Sequence, residues 1–239
     1  MGTLFVVATP IGNLEDLSLR ALRILKEVDL IAAEDTRHTK ILLDHYGVKT
    51  PMTSYHRYTR ARKIDYILNR LGEGKSIALV CDAGTPGISD PGWKLINAAV
   101  NKGIEVVPIP GPSAFLAAAS VSGIPLSQFI YLGFLPKKGR KKLLNSLKDE
   151  ERVIIFYESP HRVLKTLTEI KEIFGDREVV VCRELTKKFE EIIRGRIKEV
   201  IKEIKPRGEF VVIIKPEKLR GTCQFFPASL ADIFLFECF

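Results

Sequence analysis

One stretch constrains this chain more than any other: Cys81-Asp82-Ala83-Gly84-Thr85-Pro86-Gly87-Ile88-Ser89-Asp90-Pro91-Gly92. The apolar run 76–80 before it reads as a buried strand, and 93–100 after it reads as a helix. A glycine- and proline-rich loop at the carboxyl end of a strand is where α/β sheets bind ligands. Gly84 and Gly87 let backbone approach a ligand with no Cβ in the way, and Pro86 and Pro91 stiffen the path. Thr85, Ser89, Asp82 and Asp90 supply hydroxyls and carboxylates, which suits a polar small molecule with an apolar body. The loop is no phosphate loop, because the Lys-Ser/Thr pair is missing, and it lacks the Gly-x-Gly-x-x-Gly dinucleotide fingerprint. Taken alone, it is either a ligand cradle or an elaborate strand-to-helix connection.

Its surroundings favour the cradle. Strand-like runs at 4–8, 29–33, 77–81 and 104–109, with a short one at 52–55, alternate with helical patterns. Ser18 is placed to cap a helix with Leu19, Leu22, Ile24, Leu25 and Val28 on its apolar face, and Asp35 or Thr36 to cap a helix over 40–46. Further helices are expected at 59–71, 93–100 and 115–122. This alternation predicts a mostly parallel α/β sheet. Small-residue loops at 9–14, 81–92 and 110–114 all follow strands, so they share one sheet edge and can converge on one crevice. A second α/β pattern begins near 124, with strands expected at 129–134, 152–157, 178–182, 190–195 and 209–214. The reading is therefore two α/β domains, 1–118 and 119–216, followed by an oily tail over 217–239 that breaks the pattern.

Net charge is +8, from 37 basic and 29 acidic residues. Two accounts fit: an anionic partner such as nucleic acid, or a generally lysine-rich surface. No apolar stretch reaches the ~18 residues a membrane span needs, and the chain opens on a strand rather than a basic leader. A soluble, cytoplasmic protein is expected. The four cysteines form no Cys-x-x-Cys pair, and the histidines, His38, His45, His56 and His161, are scattered, so no metal site is expected. Cys81 and Cys182 each end an apolar run and read as small buried residues.

Five segments in order carry a family resemblance: 7–14, 33–37, 82–92, 108–114 and 158–162. They resemble the bacterial ribosomal RNA small subunit methyltransferase I family, within the tetrapyrrole-methylase-like, class III group of S-adenosylmethionine-dependent methyltransferases. The likeness runs from about residue 3 to 215. It implies two α/β domains with a ligand cleft between them, S-adenosylmethionine folded in that cleft, no metal, and a homodimer. It further implies 2′-O-methylation of a cytidine ribose in the decoding centre of 16S ribosomal RNA. Carried over residue by residue, it places the cofactor on Pro10, on Gly84, Thr85, Pro86, Gly87 and Ile88, on Ser113 and Ala114, and on Phe156 and Tyr157 from the second domain. Where the tetrapyrrole enzymes read Gly-Asp-Pro-Gly, Thr85 stands in place of the Asp.

Methyl transfer from a sulfonium is an in-line displacement, needing the ribose hydroxyl about 3 Å from the methyl. A base, or a cation stabilising the forming alkoxide, helps a weakly acidic hydroxyl react. Lys187, Glu184 and Asp35 follow strand ends and are candidates. Each has a structural alternative: a solvated charge run, an ion pair and a helix cap. Arg37, His161 and Arg162 are candidates for RNA, as are Lys137, Lys138 and Arg140 of the basic turn at 137–142, and Arg57, Arg60, Arg62 and Lys63. Tyr55, Tyr58 and Tyr131 either stack on a base or pack in the protein. Beside the RNA enzyme stand a small-molecule methylase of tetrapyrrole or diphthamide type and a non-catalytic binding module.

Overall fold

A computed structural model describes residues 1–218; all but the first two residues of the expected tail at 217–239 lie outside the described residues. The chain folds around two five-stranded sheets. The first holds β1 (Thr3–Val7), β2 (Leu30–Ala33), β3 (Met52–Ser54), β4 (Ile77–Val80) and β5 (Glu105–Ile109), in the order β3-β2-β4-β1-β5. All its pairings are parallel. Helices cover both faces, so β2 and β4 are buried at every position. On one face Ala21, Ile24 and Leu25 of α1 (Leu19–Glu27) and Leu42 and Leu43 of α2 (Thr36–His45) pack on Val7, Ile31 and Val80. On the other, Ile67, Leu68 and Leu71 of α3 (Ala61–Gly72) and Leu95 and Ala99 of α4 (Trp93–Asn101) pack on Leu4, Ala32 and Leu79.

Local chemistry sets the helix starts. The Ser18 hydroxyl accepts from the Ala21 amide. The Asp35 carboxylate accepts from the Arg37 amide and starts α2 at Thr36, four residues ahead of the expected 40–46.

The second sheet runs β6-β7-β10-β8-β9, from β6 (Phe129–Phe134), β7 (Val153–Glu158), β8 (Glu178–Arg183), β9 (Glu191–Arg196) and β10 (Phe210–Ile214). Only β6 and β7 pair in parallel; β7–β10, β10–β8 and β8–β9 are antiparallel. The second half is therefore a mixed sheet, because β10 returns between β7 and β8. One face carries α6 (Arg140–Ser146), α7 (Val163–Phe174) and α8 (Ile197–Glu203) over Ile154, Phe156, Val181 and Val212. The other face buries Val153, Ile155, Val211 and Ile213 against Ala118 and Ala119 of α5 (Ala114–Ser120) and Ile11 of the first loop. The helix that ends the first half thus covers the second sheet and joins the two.

Candidate active site

Three loops of the first sheet meet through hydrogen bonds to main-chain groups. Thr9 and Gly84 exchange both of theirs: the Thr9 amide donates to the Gly84 carbonyl at 2.9 Å, and the Gly84 amide donates to the Thr9 carbonyl at 3.0 Å. The Thr9 hydroxyl, buried, donates to the Cys81 carbonyl at 3.0 Å. The Thr85 hydroxyl reaches the Pro112 carbonyl at 3.4 Å. Gly84 sits at φ +80°, a conformation that L side chains rarely adopt. The convergence expected from strand ends is therefore built by main-chain pairing of Thr9 with Gly84, 75 residues on, and by the Thr9 and Thr85 hydroxyls.

Opposite these loops stands the carboxyl end of β7, and between them lies a cavity of about 340 Å³. Its first-half wall is Ile11, Ala83, Gly84, Thr85, Ile88, Ser89, Asp90, Ser113, Ala114 and Phe115. Its second-half wall includes Tyr131, Phe134, Tyr157, Glu158, Ser159, Leu185 and Glu209. Two hydrogen bonds cross the seam. The Tyr157 hydroxyl accepts from the Phe115 amide at 3.3 Å, and the Ser89 and Tyr131 hydroxyls lie 2.5 Å apart. Phe115 stacks on Tyr131 with ring centroids 4.4 Å apart, and Tyr157 meets Tyr131 edge-on at 5.5 Å.

The wall's charge is one-sided. Among the described residues it holds three carboxylates, Asp90, Glu158 and Glu209, and no Lys or Arg, although Arg162 and Lys187 pair with Glu158 and Glu209 from outside the wall. Such a wall disfavours a phosphate and suits a cation, which aromatic faces also attract. A sulfonium between apolar and aromatic surfaces, with loop backbone to hold a polar arm, fits these residues.

The expected cofactor residues divide. Gly84, Thr85, Ile88, Ser113, Ala114 and Tyr157 line the cavity. Pro10 and Pro86 are buried behind it, and Gly87, at φ +84°, shapes the loop. Phe156 is a correction: its side chain is fully buried in the core under α7 and α8. The period-two alternation of β7 puts Tyr157 toward the cleft and therefore Phe156 away from it.

The expected charged residues are mostly engaged. Asp35 caps α2, and Arg37 binds it at 2.7 Å, which with the Arg37 amide holds the Asp35 carboxyl well below the usual range. That leaves it a weak base. Lys187 reaches Glu184 at 3.1 Å and Glu209 at 2.8 Å. Burial opposes its charge, but these two hydrogen bonds outweigh that and raise its pKa, so it stays a cation. For Glu184 burial favours the neutral acid, yet the Glu209 amide and Lys187 win and lower its pKa. Glu184 and Thr186 hold left-handed φ values of 50° and 65°, and this strained turn packs Lys187 over Gly12 of the first loop. A Cβ on Gly12 would lie 2.4 Å from Lys187 Cγ.

Arg140 is a second correction. It is 8% exposed and donates to Glu169 at 2.7 Å, with Glu158 at 3.9 Å, so it is part of the core rather than a surface for RNA. Gly139, in the left-handed region, starts α6 and turns Arg140 inward. Arg162 is likewise occupied: it binds Glu158 at 2.6 Å and the Leu135 carbonyl at 3.2 Å. Lys137, Lys138 and His161 are exposed, as are Arg57, Arg60 and Arg62. Tyr55 is buried and its hydroxyl accepts from the Leu95 amide at 3.2 Å, which excludes it from stacking on a base. Cys81 and Cys182 are both buried, and burial raises both thiols, Cys182 to about 11. Among the described residues no group of three His, Cys, Asp or Glu is placed to hold a metal ion, and no helix is long and apolar enough to cross a membrane.

Sequence reasoning left Phe115, Phe134 and Glu209 out of the site. No local motif marks them; only the closing of one sheet on the other brings them to the cleft.

Residues 3–201 match the tetrapyrrole (corrin/porphyrin) methylases. Diphthine synthase superposes with a TM-score of 0.74 at 14% identity, covering 92% of both chains. Cobalt precorrin-4 methyltransferase superposes at 0.69 and 17%, covering 89% of this chain and 94% of the other. These two share the fold. Nearer relatives carry the name ribosomal RNA small subunit methyltransferase I. The one from Thermotoga maritima is 52% identical across 90% of this chain and 98% of its own length. That from Bacillus subtilis is 50% identical across 90% of this chain and 75% of its own. The chain belongs to the tetrapyrrole methylase family, among the ribosomal RNA small subunit methyltransferases I.

Proposed function

We propose that this chain is an S-adenosylmethionine-dependent methyltransferase that methylates the ribose 2′-hydroxyl of a decoding-centre cytidine in 16S ribosomal RNA. It would work in the cytoplasm as a homodimer. The observation that carries the cofactor is the cleft wall, with carboxylates and aromatic faces and, among the described residues, no Lys or Arg. The RNA substrate rests on the relatives' names, and a net charge of +8 is consistent with it.

In this reading Gly84, Thr85, Ile88, Ser113 and Ala114 hold the donor from the first half, with Tyr157 across the seam. Pro10, Pro86 and Gly87 keep the loops in shape. When bound, the donor supplies a methyl group already activated by positive sulfur. The protein's task is then to exclude water, align the ribose hydroxyl and accept its proton.

RNA meets exposed cations at the rim. Arg37 follows β2, and Arg57, Arg60 and Arg62 follow β3, on the same sheet edge as the cleft loops. Lys137, Lys138 and His161 lie on the second half. Their charges neutralise phosphates flanking the target nucleotide.

The test uses small ribosomal subunits from a strain lacking the modification, with methyl-labelled S-adenosylmethionine. Label on one cytidine ribose of 16S RNA is expected. Label elsewhere, or only on a small molecule, would sink this reading. A single-chain mass by light scattering would remove the dimer.

A further inference from the structure

Large apolar side chains left in water are ordinary when they are scattered singly. The exposed aromatic ones of this chain are not scattered. Among the described residues four aromatic side chains are more than half exposed, from 59% at Phe134 to 81% at Tyr58, with Trp93 and Phe189 between. Tyr58 follows β3, Trp93 opens α4 after the β4 loop, Phe134 ends β6, and Phe189 lies in the turn after β8. Each therefore stands at the carboxyl end of a strand. Those ends share the edge that carries the cleft, because β1 to β5 are parallel and β6 and β8 both run with β7.

A cation accompanies every ring. The Lys94 ammonium lies 5.9 Å from the Trp93 ring centre, and that of Lys188 lies 5.8 Å from the Phe189 ring centre. Exposed Arg57 precedes Tyr58, and exposed Lys137 and Lys138 follow Phe134. Two of the rings are also held out by closed turns. At 56–59 the Thr59 amide donates to the His56 carbonyl at 2.8 Å, and the His56 amide to the Thr59 hydroxyl at 2.7 Å. At 186–190 the Thr186 amide donates to the Glu190 carboxylate at 2.6 Å, and the Glu190 amide to the Lys187 carbonyl at 3.0 Å. Rings presented this way lose little freedom when a ligand settles on them.

We propose that this edge is a platform for single-stranded RNA, on which Tyr58, Trp93 and Phe189 stack against unpaired bases flanking the target nucleotide. The proposal rests on the RNA substrate of the function proposed above and adds the form in which that RNA is bound. A single strand alternates flat base faces with phosphates, and rings beside cations match that alternation. A duplex hides its base faces, so it meets the cations without the rings. A second copy of this chain docked on the same edge would bring like charges together.

Trp93 is the only tryptophan of the chain, so its fluorescence reports on the platform in the unaltered protein. A short single-stranded RNA of mixed sequence should quench it saturably, and the same strand annealed to its complement should not. Tyr58→Ala and Phe189→Ala should each weaken filter-binding affinity for that strand, and for small ribosomal subunits, by about 5- to 150-fold. The slope of affinity against salt should stay as in the parent, since neither change removes a charge. Tyr58→Trp should keep most of the affinity, because a ring remains. Lys94→Ala should instead reduce the salt slope by about one. Calorimetric affinity for S-adenosylmethionine should not change in Tyr58→Ala or Phe189→Ala, whose rings lie outside the cavity wall.

An unquenched Trp93 would overturn the proposal, and so would equal quenching by the duplex. Parental RNA affinity in both alanine variants would do the same. A fall in mass by light scattering in those variants would assign the rings to an interface between copies of the chain and would also overturn it. If the strand quenched Trp93 but no ribose took label from the methyl donor, the proposed chemistry would fall and the platform would stand. If the ribose were labelled and the ring variants bound RNA as the parent does, only the platform would fall.

Discussion

Two strand-to-helix turns face each other across the cleft, and each brings a carboxylate to it. The turn after β4 is built from glycine, proline and backbone pairing, and its Asp90 stands in no ion pair among the described residues, with Arg57 acting on it only from a distance. The turn after β7 is built from charge. Glu158 gathers Arg162, Thr166 and the Ser159 amide, with Arg140 and Glu169 behind it. The difference teaches that a carboxylate on a cleft wall acquires its role from what the rest of its turn supplies. Where main chain holds the loop, the side chain is left to face the cleft. Where side chains hold the loop, the carboxylate is consumed in holding it.

The strongest way to break this comparison is to remove the scaffold charge. Arg140→Ala strands Glu169 in the core and should cost about 3–5 kcal/mol in urea unfolding. The paired replacement Arg140→Met with Glu169→Leu should recover most of that loss, because apolar pairs of similar volume often replace buried ion pairs without penalty. If Arg140→Ala were as stable as the parent, the β7 turn would not be held by charge.

Next comes the neighbouring surface. Lys137→Glu with Lys138→Glu should weaken subunit binding at least about tenfold at low salt and flatten its salt dependence, leaving stability and cofactor affinity intact. Equal loss of stability would place these lysines with Arg140. Across the seam, Tyr157→Phe leaves the Phe115 amide without its acceptor and should lower cofactor affinity by about 1 kcal/mol, read by calorimetry.

The smallest expected effect concerns Asp90 itself. The folded protein raises the Asp90 pKa, so it holds that proton more tightly than the unfolded chain does. Between the unfolded and folded pKa values, stability therefore falls as pH rises, and the whole penalty is present above the folded value. Asp90→Asn should melt slightly higher than wild type near pH 7–8, with the advantage vanishing as pH drops below the unfolded aspartate value near 4. A variant less stable at neutral pH would mean that Asp90 supports its loop rather than straining it.

Much of the architecture was legible from local patterns. Ser18 and Asp35 announced two helix starts, the uniformly apolar 77–80 announced a strand buried on both faces, and 129–134 matched β6 residue for residue. The three loops were legible as a group because parallel strands put their carboxyl ends on one edge. The second sheet was less legible. Its strands read correctly as strands, but strand direction depends on where β10 inserts, and that is a long-range choice.

Within the site, the residue types and the loops followed from sequence, because glycine, proline and apolar periodicity act through neighbours a few positions away. Which charges remain free did not. Lys137, Lys138 and Arg140 share one basic stretch, yet two face water and one is buried against Glu169, 29 residues on. Phe156 and Tyr157 are adjacent, yet one packs under α7 and the other faces the cavity. Ion pairing and strand facing are set by partners distant in the chain, so only the tertiary structure decided that Asp35, Glu184 and Lys187 are engaged while Asp90 stands in no ion pair among the described residues.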